Sequence, residues 1–194
     1  MAAGHERTEE QDRRSAIHAA AIAVFSAQGF AATSMADIAT AAGISRPALY
    51  QYFANKRDIF ASAFAALIDE AVDRALAALK APSSVGEQLD GFLQRFDGDL
   101  WEGMAASAHS EEILQTKHEL AVDPWAPSVE RLHKGLAAYL RRQGAPKARA
   151  GEWADLLELS PKGFKIDRPS VTIYRRRLTA LANSVAAALT TATG

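Results

Sequence analysis

The 194-residue chain contains no cysteine. That excludes a disulfide framework, a thiolate zinc site and a cysteine nucleophile. No run approaches eighteen apolar residues without a charge, so nothing reads as a membrane span. The N-terminus lacks the apolar run of a signal peptide. A cytoplasmic protein with no membrane partner is the expectation. No segment alternates with a strand's period and no internal repeat recurs. An excess of charge of one sign is missing too: 22 basic against 23 acidic residues leave a net −1. Many nucleic-acid binders are basic overall, so such a role here has to rest on a local positive surface. Apolar residues are abundant. At 48% of the chain they suffice for a packed core and argue against disorder.

The most informative stretch is Thr33 to Lys56, which reads as two short helices around a tight turn. Thr33 is placed to cap the first, with Asp37 in its first turn, where a negative charge suits the helix dipole. Ile38, Ala39 and Ala42 follow at helical spacing, and Gly43 can take the left-handed conformation that ends a helix. Ser45 caps the second helix and Pro47 falls in its first turn, where a missing N–H costs nothing. Asn55 can cap a third helix beginning at Lys56. Leu49 and Phe53 mark the inward face of the second helix. Arg46, Pro47, Tyr50 and Gln51 fall opposite, where a guanidinium, a phenol and an amide can meet phosphates or base edges. A short glycine-containing turn between such helices is a helix-turn-helix. The plain alternative is an amphipathic helical hairpin with no nucleic-acid role.

The rest of the chain reads as helix. The first helix is expected from about Asp12 to Gln28, with Ile17, Ala20, Ala21, Val24 and Phe25 as its stripe and Arg13 and Arg14 turned to solvent. Residues 1–11 are expected to form a flexible tail. A long helix should run from Lys56 to about Lys80. Further helices are expected over Val85–Trp101, Ala105–Ala121, Trp125–Gln143, Pro146–Gly163 and Pro169–Leu189, about nine in all. Pro161 either ends or kinks its helix. In the last helix Val171, Tyr174, Leu178, Leu181 and Val185 recur at spacings of three and four, a seam for another helix. That other helix can belong to the same subunit or to a second one.

The Thr33–Lys56 window resembles the DNA-binding signature of the TetR family of transcriptional regulators. The matching residues are Thr33-Ser34, Ile38-Ala39, Ala42-Gly43-Ile44-Ser45, Leu49-Tyr50, Tyr52-Phe53 and Lys56. Arg46-Pro47 and Gln51 depart from the pairs common in the family, which bears on the operator sequence. The resemblance covers about the first 60 residues. It implies an all-α chain with a three-helix DNA-binding domain over 12–58, its helix-turn-helix at about 34–53, and a ligand-binding and dimerisation bundle over 59–194. It implies a homodimer formed by the last two helices, a palindromic double-stranded DNA operator, and release by a small-molecule effector, with the long fourth helix carrying the movement.

Arg46 and Gln51 are then expected to read base edges with Pro47 beside them, while Tyr50, Tyr52, Thr33 and Lys56 hold phosphates. The dimer seam would be Val171, Tyr174, Leu178, Leu181 and Val185. Candidate ligand-pocket residues are Phe92, Phe96, Trp101, Met104, His109, Ile113, His118 and Trp125, since cavities between bundle helices are common ligand sites. Most of these serve equally well as core. His109 and Glu112 lie on one helix face, but no third ligand stands at a matching spacing, so no metal and no cofactor is expected. The alternatives are an all-helical enzyme or a protein-interaction module using the His109, Glu112 and His118 region. No nucleophile elbow or phosphate-cradling glycine loop accompanies that region, so a non-enzyme is the expectation.

Overall fold

The computed structural model describes residues 2–120 and 123–193; for residues 2–7, 192 and 193 it gives the backbone alone. Among the described residues all regular structure is helical. The segments are α1 (Ala2–Gln28), α2 (Met35–Ala41), α3 (Arg46–Tyr52), α4 (Lys56–Ala78), α5 (Val85–Leu93), a π turn (Gln94–Gly98), α6 (Asp99–Ala105), α7 (Ser110–His118), α8 (Ala126–Arg142), α9 (Lys147–Gly163) and α10 (Val171–Thr193). Because α5, the π turn and α6 follow one another without a break, the ten α segments make nine rods. No helix among the described residues is long and apolar enough to cross a membrane.

Contacts gather the chain into two units. The first holds Met1–Leu67 with Ser107–Trp125, the second Ile68–Ala106 with Ala126–Gly194. In the first unit Ile17, Ala21 and Phe25 of α1 meet Ile38, Leu49, Phe53, Ile59 and Phe60, all buried. Phe60 makes edge contacts with Phe25 and Phe30 at centroid distances of 5.4 and 5.2 Å, the kind of aromatic packing that adds to area burial. Gly29 and Gly43 end α1 and α2 at φ of +83° and +66°, values that favour a residue with no Cβ.

Three expectations change here. The 1–11 tail is helical from Ala2, so α1 begins ten residues before the expected Asp12, with Met1 outside the described residues. That segment has no apolar stripe, but Glu, Gln, Arg and Ala all favour helix, and Glu10 and Arg14 pair across one turn at 3.5 Å. The N-cap of α2 is Ser34 rather than Thr33. Its hydroxyl accepts from Asp37 N–H at 3.2 Å while the Asp37 carboxylate accepts from Ser34 N–H at 2.8 Å, a capping box. The Ser34 hydroxyl also donates to the Asp37 carboxylate at 2.7 Å, and that bond, with the one from the Ser34 N–H, holds the Asp37 carboxyl below its usual range.

The third change is the domain boundary. The segment carrying α7 joins the first unit instead of a 59–194 bundle. Its contacts explain why. Ser107 donates to the Ser26 carbonyl at 2.9 Å, and Glu112 accepts from the Ala31 N–H at 2.5 Å. A Cβ on Gly29 would collide with that carboxylate. The expected Ala105–Ala121 helix shortens to α7, and Ala121 lies outside the described residues.

The second unit packs Leu89, Phe92 and Leu93 of α5 against α10, with Leu132, Leu136, Tyr139 and Leu140 of α8 and Trp153, Ala154 and Leu157 of α9 also buried. Pro161 lies inside α9, which continues to Gly163, so the proline does not end the helix. The Tyr174 hydroxyl donates to the Pro161 carbonyl at 3.3 Å. In the π turn the Asp99 N–H bonds back to Gln94. That wider turn presents Asp97, only 6% exposed, to Lys165 at 2.9 Å.

Candidate nucleic-acid interface

The face assigned to DNA is built on α3. Ser45 caps it by accepting from the Ala48 N–H at 3.3 Å, and Pro47 occupies its first turn. The second of its helix faces buries Leu49, with Phe53 buried just beyond the helix end. Arg46, Pro47, Tyr50 and Gln51 are all exposed, and Tyr50 keeps 44% of its surface open. In the free chain Arg46 donates to the Tyr50 hydroxyl at 3.3 Å and lies 5.6 Å from that ring's centroid. The bond raises the Arg46 pKa further above its already high value. Among the described residues its one hydrogen-bond partner is the Tyr50 hydroxyl, which a base-edge acceptor can replace at little cost.

Two expected phosphate contacts are engaged elsewhere. Lys56 donates from Nζ to the carbonyls of Phe30, Ala31 and Thr33 at 2.6, 3.0 and 2.7 Å, and lies 4.6 Å from the Phe30 ring centroid. All three ammonium donors are used, so Lys56 holds the loop between α1 and α2 rather than a phosphate. Thr33 is 2% exposed, and its hydroxyl donates to the Gly29 carbonyl at 2.6 Å. The signature positions are there, but both groups serve the head's own backbone. Tyr52 is half-buried, with the Arg14 guanidinium 5.6 Å from its ring centroid and 5.5 Å from that of Phe53.

Residues 17–63 match the family model described as bacterial regulatory proteins, tetR family. The chain is 34% identical over 88 residues to the uncharacterized HTH-type transcriptional regulator YezE of Bacillus subtilis, covering 45% of each protein. It is 43% identical over 54 residues to the HTH-type transcriptional regulator AcrR of Shigella flexneri, covering 28% of this chain and 25% of that one. These matches therefore span less than half the length of the curated relatives. A crystal structure of a TetR-like transcriptional regulator from Rhodococcus sp. RHA1 is similar across 90% of this chain and 96% of that one, with a TM-score of 0.58 and 29% identity. Residues 17–63 thus match the TetR family's N-terminal region, and the chain is similar to TetR-like regulators over most of its length.

The remaining residues expected from the TetR resemblance fall into two groups. Phe92, Phe96, Trp101 and Met104 lie in the second unit, while His109, Ile113, His118 and Trp125 lie in the first. Phe92 and Ile113 are core residues at 1% and 2% exposure. Trp101 donates from its indole to the Pro169 carbonyl at 3.3 Å and packs on Tyr174. His109 precedes α7 with Nδ1 3.7 Å from Glu112, whose carboxylate holds the Ala31 N–H. His118 is exposed, and Trp125 is buried beneath Lys117, 4.6 Å from its ring. The eight do not form one chamber within either unit, and Glu112 acts as a backbone acceptor rather than as an acid or base.

The expected TetR dimer seam also turns inward. Tyr174 and Leu178 are fully buried and Val185 is 2% exposed, inside the chain's own second unit, while Val171 and Leu181 are half-buried. Their spacing serves the packing of α10 on α5. Sequence reading also missed the side chains that surround Asp97 and the backbone role of Glu112. Their partners lie 68 to 81 residues away, so no local spacing announces them.

Proposed function

We propose that this chain is a homodimeric TetR-family transcriptional regulator that represses by occupying a two-fold symmetric operator and is released by a small-molecule effector. The observation that carries the DNA reading is the face of α3. A capped, rigid helix exposes Arg46, Pro47, Tyr50 and Gln51 together, while Leu49 and Phe53 anchor it from behind. Such a helix fits the major groove, where Arg and Gln can read base edges.

Support for the dimer comes from apolar side chains left open on α9 and α10: Leu156, Leu159 and Ile173 are 46%, 51% and 38% exposed, surface that a second copy would cover. Two heads about 34–36 Å apart would then read successive turns of one DNA face. The effector reading rests on the half-buried Phe96, Trp101 and Met104 of the second unit, adaptable aromatic and thioether surface of the kind small molecules enter. If operator and effector favour different spacings of the two heads, each weakens the other's binding by the same factor.

The test is selection from random duplex DNA by the purified full chain at two salt concentrations. Enrichment of a two-fold symmetric sequence, retained less well at high salt, is the expected outcome. Recovery of no sequence at either salt would sink the proposal.

A further inference from the structure

We propose that Arg13, on the N-terminal part of α1, grips a backbone phosphate of the bound duplex and so takes the role that spacing assigns to Lys56. The assignment rests on the DNA-binding reading above. A head that places α3 in the major groove still needs groups on the phosphates, because those contacts set its register on the duplex. Lys56 is saturated by three carbonyls and Thr33 is buried. Arg13 stands where a replacement is required. It is exposed, and with Gln51 and Tyr52 from the end of α3 it lines an open surface concavity of about 400 Å³. Among the described residues its guanidinium has no hydrogen-bond or ion-pair partner. The adjacent Arg14 differs: it lies over the Tyr52 and Phe53 rings and pairs with Glu10.

The concavity also contains Glu9 and Glu10. Side chains three and four apart share a helix face, so both acids lie on the side of α1 that carries Arg13. Glu10 is 3.5 Å from Arg14 and largely compensated. Glu9 has no ion-pair partner among the described residues and opposes a phosphate. The seat therefore combines a free cation with a free opposing charge, and removing each should move DNA affinity in opposite directions.

The experiment measures equilibrium binding of the full chain to the duplex recovered by selection and to a mixed-sequence duplex, from about 50 to 200 mM salt. Arg13→Ala should weaken both duplexes alike, about three- to tenfold, and reduce the log–log salt slope by about 1. Arg13→Lys should keep the slope. Glu9→Gln should tighten both duplexes. Wild-type affinity and slope in Arg13→Ala, alongside a loss in Arg46→Ala, would overturn the assignment and leave the α3 reading standing. A fall in the unfolding midpoint of Arg13→Ala matching its loss of binding would place Arg13 in the fold instead. A wild-type chain that retains no duplex would overturn the DNA-binding reading and this assignment with it.

Discussion

Helices α3 and α10 are both legible as amphipathic, yet composition alone decides which way only one of them turns. In α3 the two faces differ in kind: Leu49 inside, with Arg46, Tyr50 and Gln51 outside. Burying that outer face would strand a guanidinium, an amide and a phenol, so water or a polar partner is its natural surrounding. In α10 the seam is apolar, and apolar surface is satisfied equally by its own core or by a second chain. Tyr174, Leu178 and Val185 went inward, while Ile173 stayed outside. Polar chemistry on a helix fixes its orientation; apolar spacing fixes only that something must cover it.

The largest effect that could break this contrast is Leu178→Ala. If the seam is internal, truncating a fully buried leucine should destabilise the chain by about 2–5 kcal/mol in denaturant titration, with self-association intact. Dissociation of a dimer with stability unchanged would restore the outward reading of α10. Lys56→Ala comes next. Losing charge-assisted bonds to three carbonyls should lower stability by about 2 kcal/mol, and DNA binding should fall only as far as the head unfolds. Loss of phosphate-dependent affinity in a head of undiminished stability would return Lys56 to the interface.

Arg46→Ala should leave the unfolding midpoint unchanged, since its side chain is exposed. It should relax discrimination at one base position by about 1–3 kcal/mol, read from competition between operator variants. The smallest effect concerns what backs α3. His18 packs against Phe53 at 5.6 Å, with Nε2 2.9 Å from the Ser62 hydroxyl. Burial, and then the charge of Arg14, hold its pKa below the ordinary 6.5. Between those two values the unfolded chain binds more protons than the folded one. The stability present above about pH 6.5 is therefore lost as pH falls through the folded-state value. His18→Gln should flatten that part of the pH dependence of the unfolding midpoint; an unchanged profile would remove His18 from the account.

What the sequence made legible was whatever is decided within a few residues. Ser45 with Pro47, the glycines at 29 and 43, and the Asn55 cap, which accepts from the Asp58 N–H at 2.9 Å, all formed as local chemistry requires. The helical tail was missed because α1 there has propensity without an apolar stripe, and the stripe was the signal sought. Thr33 and Lys56 are engaged within the free head for a different reason. A lysine at a helix start can meet a phosphate or its own chain's carbonyls, and the choice depends on where the end of α1 is carried in space. The joining of α7 to the head was hidden likewise, since Glu112 and Ala31 are 81 residues apart.

The π turn at Gln94–Gly98 carries a consequence for how this chain tolerates change in length. A turn closed from Asp99 back to Gln94 holds one residue more than an α turn would. Deleting any one of its five residues would let α5 and α6 fuse into a regular helix, with every hydrogen bond made. Five residues of the wide turn and four of an α turn each close about one revolution, so α6 would keep its facing and Trp101 would stay on Tyr174. Only the widening that presents Asp97 to Lys165 would be lost. A chain one residue shorter here should therefore keep this end of the bundle and give up that one ion pair.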